Sequence, residues 1–236
     1  MSRNRLEKFL PIYAAGRRLF RVFFRTLYAE REVGQRNVPT TGPVIVAANH
    51  VSFLDPPLVG GAITTRQVWF MAKKELFQIP ILGRLIGYCG CFFVDRKARD
   101  GKAIDRGVQL LNSGKLIGIF PEGTRSRDGK LKQGKAGVAM LALKTGATIV
   151  PAAVFNSKEI VDRKFLPGPP LGVRIGEPIS VEKMEEPSRE RIREVLNQVM
   201  GAIAALQEKG LPTLEEVAEE RAWAATANAA DKNSRL

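Results

Sequence analysis

The chain has 236 residues, with 37 Lys+Arg against 24 Asp+Glu, one His, two Cys and a formal net charge of +13. That length suits one domain with appendages, and the 44% hydrophobic and 26% charged content excludes both a disordered tail protein and a polytopic membrane protein. So large an excess of positive charge implies an anionic partner: nucleic acid, an acidic lipid surface or phosphorylated substrates.

Residues 1–36 carry +6, residues 37–181 carry +10 and residues 182–236 carry −3. The basic character thus belongs to an N-terminal arm and a central body, and the tail is a mildly acidic appendage. The arm interleaves basic and apolar residues with no uninterrupted apolar stretch, so a signal peptide is not expected. Phe20, Phe23, Phe24, Leu27 and Tyr28 recur at the spacing of one helical face, flanked by Arg18, Arg21 and Arg25 with Arg17 near the boundary. Aromatics on one side and arginines on the other suit the interface of an anionic bilayer. The alternative is an ordinary helix packed on the core with its arginines in water. Pro11 is expected to kink the arm or divide it into two short helices.

Strand and helix signals alternate through the body. Val44–Ala48 is a short apolar run ending at Asn49 and His50, and Asp55-Pro56-Pro57 reads as an N-cap followed by prolines in the first helical turn. A second strand, Val68–Met71, precedes a helix from about Lys74, and Cys91–Val94 is a third. The stretch Leu76–Val94 has nearly the length of a membrane span. Arg84 near its centre, Pro80, Gly83, Gly87 and Gly90 argue instead for a buried helix running into a strand. Cys89 and Cys91, even with His50, are too few for a metal site and read as reduced core residues in a reducing compartment. Residues 101–112 are helical, Leu116–Phe120 is a fourth strand, residues 136–145 form a helix stopped by Gly146, and Thr148–Val154 and Gly172–Ile175 are further strands. This alternation predicts an α/β domain around a largely parallel central sheet flanked by helices. The tail is a helical pair. Ser188 caps the first helix, Thr213 and Glu216 form a capping box for the second, and residues 228–236 are expected to fray. Three regions result: 1–36, 37–181 and 182–236.

Chemistry-bearing residues cluster after the strands. His50 follows the first strand directly, and Asp55 five residues on can turn back to one ring nitrogen. That contact would fix the tautomer and make the other nitrogen a general base. Alternatively, Asp55 only caps its helix and His50 is a loop residue. No Gly-x-Ser-x-Gly, P-loop or dinucleotide fingerprint is present, so a base acting directly on a substrate hydroxyl fits better than a covalent nucleophile. After the fourth strand comes Phe120-Pro-Glu-Gly-Thr-Arg-Ser126, in which Gly123 allows close backbone approach and Arg125 can clamp a phosphate. The third strand delivers Arg96. Each basic loop could also be a solvated surface.

Asn49-His50-x4-Asp55, Phe93-Val-Asp-Arg96, Phe120–Ser126 and Val150-Pro-Ala-Ala153 resemble, in order and spacing, the four sequence blocks of the 1-acyl-sn-glycerol-3-phosphate (lysophosphatidic acid) acyltransferase family. The resemblance spans residues 37 to about 180. It implies that His50 and Asp55 are the catalytic pair. It also implies that Arg96, Glu122, Gly123, Thr124 and Arg125 bind the glycerol-phosphate acceptor, with Lys73 near its phosphate. The implied reaction is acyl transfer from acyl-CoA or an acyl carrier protein thioester to the sn-2 hydroxyl of lysophosphatidic acid, giving phosphatidic acid. It calls for no metal or redox cofactor. Another lysophospholipid or glycerol-3-phosphate is the alternative acceptor. One departure is that a segment often reading Phe-Lys-x-Gly is Gly134-Lys135-Ala136-Gly137 here, which bears on the pocket wall. A cytoplasmic protein peripherally bound to an anionic inner membrane face is the expected setting. No nucleic-acid module motif appears, so nucleic acid is not an expected partner.

Overall fold

A computed structural model describes residues 10–73, 92–94, 102–164 and 168–233. Its elements in chain order are helix α1 (Leu10–Tyr28), strand β1 (Arg31–Val33), a 3-10 turn (Gln35–Asn37), β2 (Val44–Ala48), α2 (Asp55–Ala62), β3 (Val68–Lys73) and β4 (Phe92–Val94). Then follow α3 (Lys102–Asn112), β5 (Leu116–Ile119), α4 (Gly137–Thr145), β6 (Thr148–Phe155), α5 (Ser157–Asp162), β7 (Gly172–Ile175), α6 (Arg189–Glu208) and α7 (Leu214–Asn233).

The strands form one seven-stranded sheet in the order β1-β7-β6-β2-β5-β3-β4. Every adjacent pair is parallel except β6–β7. β7 and its parallel neighbour β1 therefore run opposite to the other five strands. β2 lies at the centre between β5 and β6, and all five of its residues are buried, as expected of a parallel strand covered on both faces. Its alternation divides the core. Val44, Val46 and Ala48 join Phe24, Tyr28, Leu58 and Ile160 on the face covered by α1, α2 and α5. Ile45 and Ala47 join Leu111, Leu141, Val195 and Ile203 on the face covered by α3, α4 and α6.

The three regions read from the sequence interlock. The sheet begins at Arg31, ahead of residue 37, because β1 pairs with β7. The tail is fastened as well. Buried Arg174 on β7 makes paired hydrogen bonds of 2.6 and 2.9 Å to Glu216, and Glu220 accepts from the Gln35 backbone at 2.8 Å. Ser188 caps α6 through the Arg191 N–H at 3.1 Å. Thr213 and Glu216 form the reciprocal capping box, at 2.8 and 3.2 Å. Helix α7 continues to Asn233, beyond the point where fraying was expected. The helix expected from Lys74, together with Cys89, Cys91 and Arg96, falls outside the described residues.

Helix α1 corrects the expected membrane face. Phe24 and Tyr28 are buried and Phe20 packs against the same core, because α1 must cover the sheet beside α2. Arg21 and Arg25 turn to buried Glu32, at 2.6 and 2.7 Å, and Arg17 donates to the carbonyls of Ile63 and Thr64. Phe23 and Leu27 of the expected face stay outside, and with Leu19 and Val22 they form an exposed apolar stripe: Leu19, Val22, Phe23 and Leu27 are 70, 56, 42 and 56% exposed. Pro11 stands in the first turn of the described helix, and the segment ahead of Leu10 lies outside the described residues. Among the described residues no helix is long and apolar enough to cross a membrane.

Candidate active site

Because β2, β5 and β6 are parallel neighbours, their C-terminal ends lie side by side at the centre of one sheet edge. This is where α/β sheets gather functional groups. His50 leaves β2, Phe120 leaves β5 and Ser157 follows β6. The His50 Nδ1 is 2.7 Å from the Asp55 Oδ2. The imidazole is 18% exposed and the carboxylate fully enclosed. Oδ2 also accepts the backbone N–H groups of Val51 and Ser52, at 2.7 and 2.8 Å. Asp55 therefore does not cap its helix as the sequence suggested. It is the first residue of α2, after Leu54 at the N-cap, and its carboxylate faces back to the preceding loop. With Nδ1–H held by Asp55, Nε2 is the nitrogen left to take a proton.

The imidazole is stacked on Phe120, with centroids 4.1 Å apart and planes 19° apart, and Phe120 stacks in turn on Phe70 at 6.0 Å. Gly118 makes this possible: a Cβ there would stand 2.2 Å from a Phe70 ring carbon. A glycine in mid-strand thus marks a close ring approach. Asn49 secures the loop from the other side, donating to the Val154 carbonyl at 3.1 Å and accepting its N–H at 2.7 Å.

Glu122 joins two loops of the site through its carboxylate. It is buried, and its oxygens accept the backbone N–H groups of His50 at 2.7 Å and Lys132 at 3.0 Å. Burial pushes its carboxyl upward from the ordinary value, and these two hydrogen bonds oppose the shift. The carboxylate ties the histidine loop to the basic loop. Gly123 has φ +69°, and a Cβ there would stand 2.9 Å from the Lys135 Nζ, so this glycine lets Lys135 cross the loop. Thr124 and Arg125 are exposed at its tip. Lys73 ends β3 and its side chain lies outside the described residues, as does all of Arg96. The space beside Gly134 is filled by α6, since a Cβ there would meet Met200 Sδ at 2.7 Å and Leu196 Cδ1 at 2.9 Å. Among the described residues no group of three His, Cys, Asp or Glu side chains is placed to hold a metal.

The His–Asp pair thus lies at the centre of a mostly parallel sheet edge, bordered by a basic loop. Residues 31–155 match the Acyltransferase family model, and the chain belongs to that family. The 1-acyl-sn-glycerol-3-phosphate acyltransferase of Bacillus subtilis is 34% identical over 70% of this chain and 82% of its own. The protein of the same name from Borreliella burgdorferi is 30% identical over 69% of this chain and 66% of its own. Among solved structures, that of the 1-acyl-sn-glycerophosphate (LPA) acyltransferase PlsC from Thermotoga maritima superposes with a TM-score of 0.70. It is 28% identical and covers 90% of this chain and 86% of that one.

Proposed function

We propose that this acyltransferase moves an acyl group from a thioester to the sn-2 hydroxyl of 1-acyl-glycerol-3-phosphate, giving phosphatidic acid. The observation that carries this reading is the 2.7 Å contact between His50 Nδ1 and the enclosed Asp55 carboxylate. His50 Nε2 takes the hydroxyl proton as the oxygen attacks the thioester carbonyl. When the tetrahedral intermediate collapses, the C–S bond breaks and the imidazolium returns the proton to the departing thiolate. Arg125, with Lys132 donating to its backbone carbonyl at 3.2 Å, supplies positive charge for the acceptor phosphate. The donor is an acyl thioester of coenzyme A or of acyl carrier protein. The names of the relatives support the acceptor assignment.

The acceptor is reached at an anionic membrane surface. The support for this is the exposed stripe Leu19, Val22, Phe23 and Leu27 with exposed Arg18 beside it. Such a helix lies in the interface plane, its apolar face in the headgroup boundary.

A donor-by-acceptor activity matrix on purified protein with anionic vesicles tests the whole reading. Transfer to lysophosphatidic acid should exceed transfer to glycerol-3-phosphate, and His50→Ala should lower it by on the order of 10²–10⁴-fold. A folded His50→Ala variant with near-normal turnover would remove the base assignment.

A further inference from the structure

The Asp55 carboxylate has a second oxygen that the pairing with His50 does not use. Oδ1 accepts a hydrogen bond of 2.5 Å from the Ser157 Oγ, 102 residues away in sequence. Both residues are fully buried. Among the described residues the serine hydroxyl is the sole donor to Oδ1, whereas Oδ2 serves the imidazole and two backbone N–H groups. Ser157 is the first residue of α5, directly after β6, and Asn156 before it holds a left-handed conformation with φ 61°. The Asn156 side chain is secured to the Pro170 carbonyl at 2.7 Å. The turn that delivers the hydroxyl is therefore anchored at Asn156.

We propose that Ser157 is a positioning residue for the acyl transfer reaction, the third member of a His50–Asp55–Ser157 chain, resting on the reading of His50 as the base. Its hydroxyl fixes the rotation of the carboxylate, so that Oδ2 stays on the imidazole Nδ1–H and the ring keeps the tautomer in which Nε2 is unprotonated. Without the hydroxyl, Oδ1 is a charged oxygen with no donor inside the protein. The carboxylate is then held through Oδ2 alone, so its rotation is less tightly fixed and so is the contact with the imidazole. The loss falls on the proton-transfer step and not on substrate binding, since Ser157 is enclosed behind Asp55.

The single histidine makes the test direct, because every imidazole signal in the NMR spectrum of the full chain belongs to His50. In Ser157→Ala the ring nitrogen shifts should move from one tautomer toward a mixture, and the downfield Nδ1–H proton should broaden. kcat should fall on the order of 10-fold, a part of what loss of the base itself costs, with both KM values unchanged. Ser157→Cys, which keeps a weaker donor, should lie between the two proteins in both measurements. Wild-type imidazole signals in Ser157→Ala would overturn the inference, as would mixed tautomers with unchanged kcat or a loss confined to KM. His50→Ala measured alongside separates the two claims: if it retains turnover the base reading fails, and if it is inactive while Ser157→Ala matches wild type only the serine's role fails.

Discussion

The Glu122 Oε1 accepts the backbone N–H of His50 at 2.7 Å, so the residue that begins the basic loop also holds the backbone of the base. Its other oxygen accepts the Lys132 N–H at 3.0 Å. An isosteric Glu122→Gln variant turns an NH2 group toward one of these donors and leaves that buried N–H unpaired. Such a loss costs roughly 1–3 kcal/mol. The variant should show a lower melting temperature and a reduced kcat with the acceptor KM unchanged. A raised acceptor KM at full kcat would return Glu122 to the substrate-binding role implied by the family resemblance.

Asp55→Asn should separate charge from structure. The amide oxygen can still accept from Val51 and Ser52, and the amide NH2 can donate to the Ser157 Oγ, so the loop keeps its hydrogen bonds. Because Asp55 does not cap α2, little stability should be lost by thermal unfolding. Acyl transfer should fall by on the order of 10²–10⁴-fold, since the imidazolium formed during the reaction loses its counter-charge. Asp55→Ala should melt lower as well, because two backbone donors are then stranded.

The two apolar stripes of α1 should behave differently. Changing Leu19, Val22, Phe23 and Leu27 together to Ser should abolish co-sedimentation with anionic vesicles and leave the melting temperature near wild type, since these side chains are exposed. Phe24→Ala should instead destabilise the fold by roughly 3–5 kcal/mol, as for other buried phenylalanines. Vesicle pelleting of the four-residue variant at the wild-type level would place the membrane contact elsewhere, with the basic loop from Arg127 to Lys135 as the next surface to change.

A pH dependence of stability follows from Glu30, between α1 and β1. Both its oxygens are buried, with no hydrogen-bond partner among the described residues. Burial, and then the neighbouring Glu32 carboxylate, push its carboxyl up to about 8, with Arg25 and Arg21 opposing. The folded protein keeps a proton there that the unfolded chain, at its ordinary value of 4.5, has released. Stability from this group is therefore complete below pH 4.5 and is lost as pH rises toward 8. Glu30→Gln should unfold at a higher temperature than wild type at pH 9 and should flatten the decline between pH 5 and pH 9. Parallel melting curves for the two proteins across that range would show that Glu30 does not carry the effect.

The sequence by itself determined the features whose causes are local. The run Val44–Ala48 is a buried strand, Thr213 and Glu216 cap a helix three residues apart, and His50 is placed at a strand end with Asp55 within reach, because each rests on spacing along a few residues. Helix α1 shows the limit. Its periodicity revealed an apolar face at Phe20, Phe23, Phe24, Leu27 and Tyr28, but periodicity cannot say which of these lipid or the protein's own sheet covers. Packing against α2 and the sheet decided it: Phe24 and Tyr28 are buried, whereas Phe23 and Leu27 stay outside beside Leu19 and Val22. Likewise Asp55 could cap its helix or orient His50, and only the folded loop, with Val51 and Ser52 donating to the same oxygen, chose the second. Phe120, Glu122 and Ser157 reach His50 or its partner from 70, 72 and 102 residues away. Their roles come from β2 lying between β5 and β6, an adjacency created by the sheet's strand order and by no pattern along the chain.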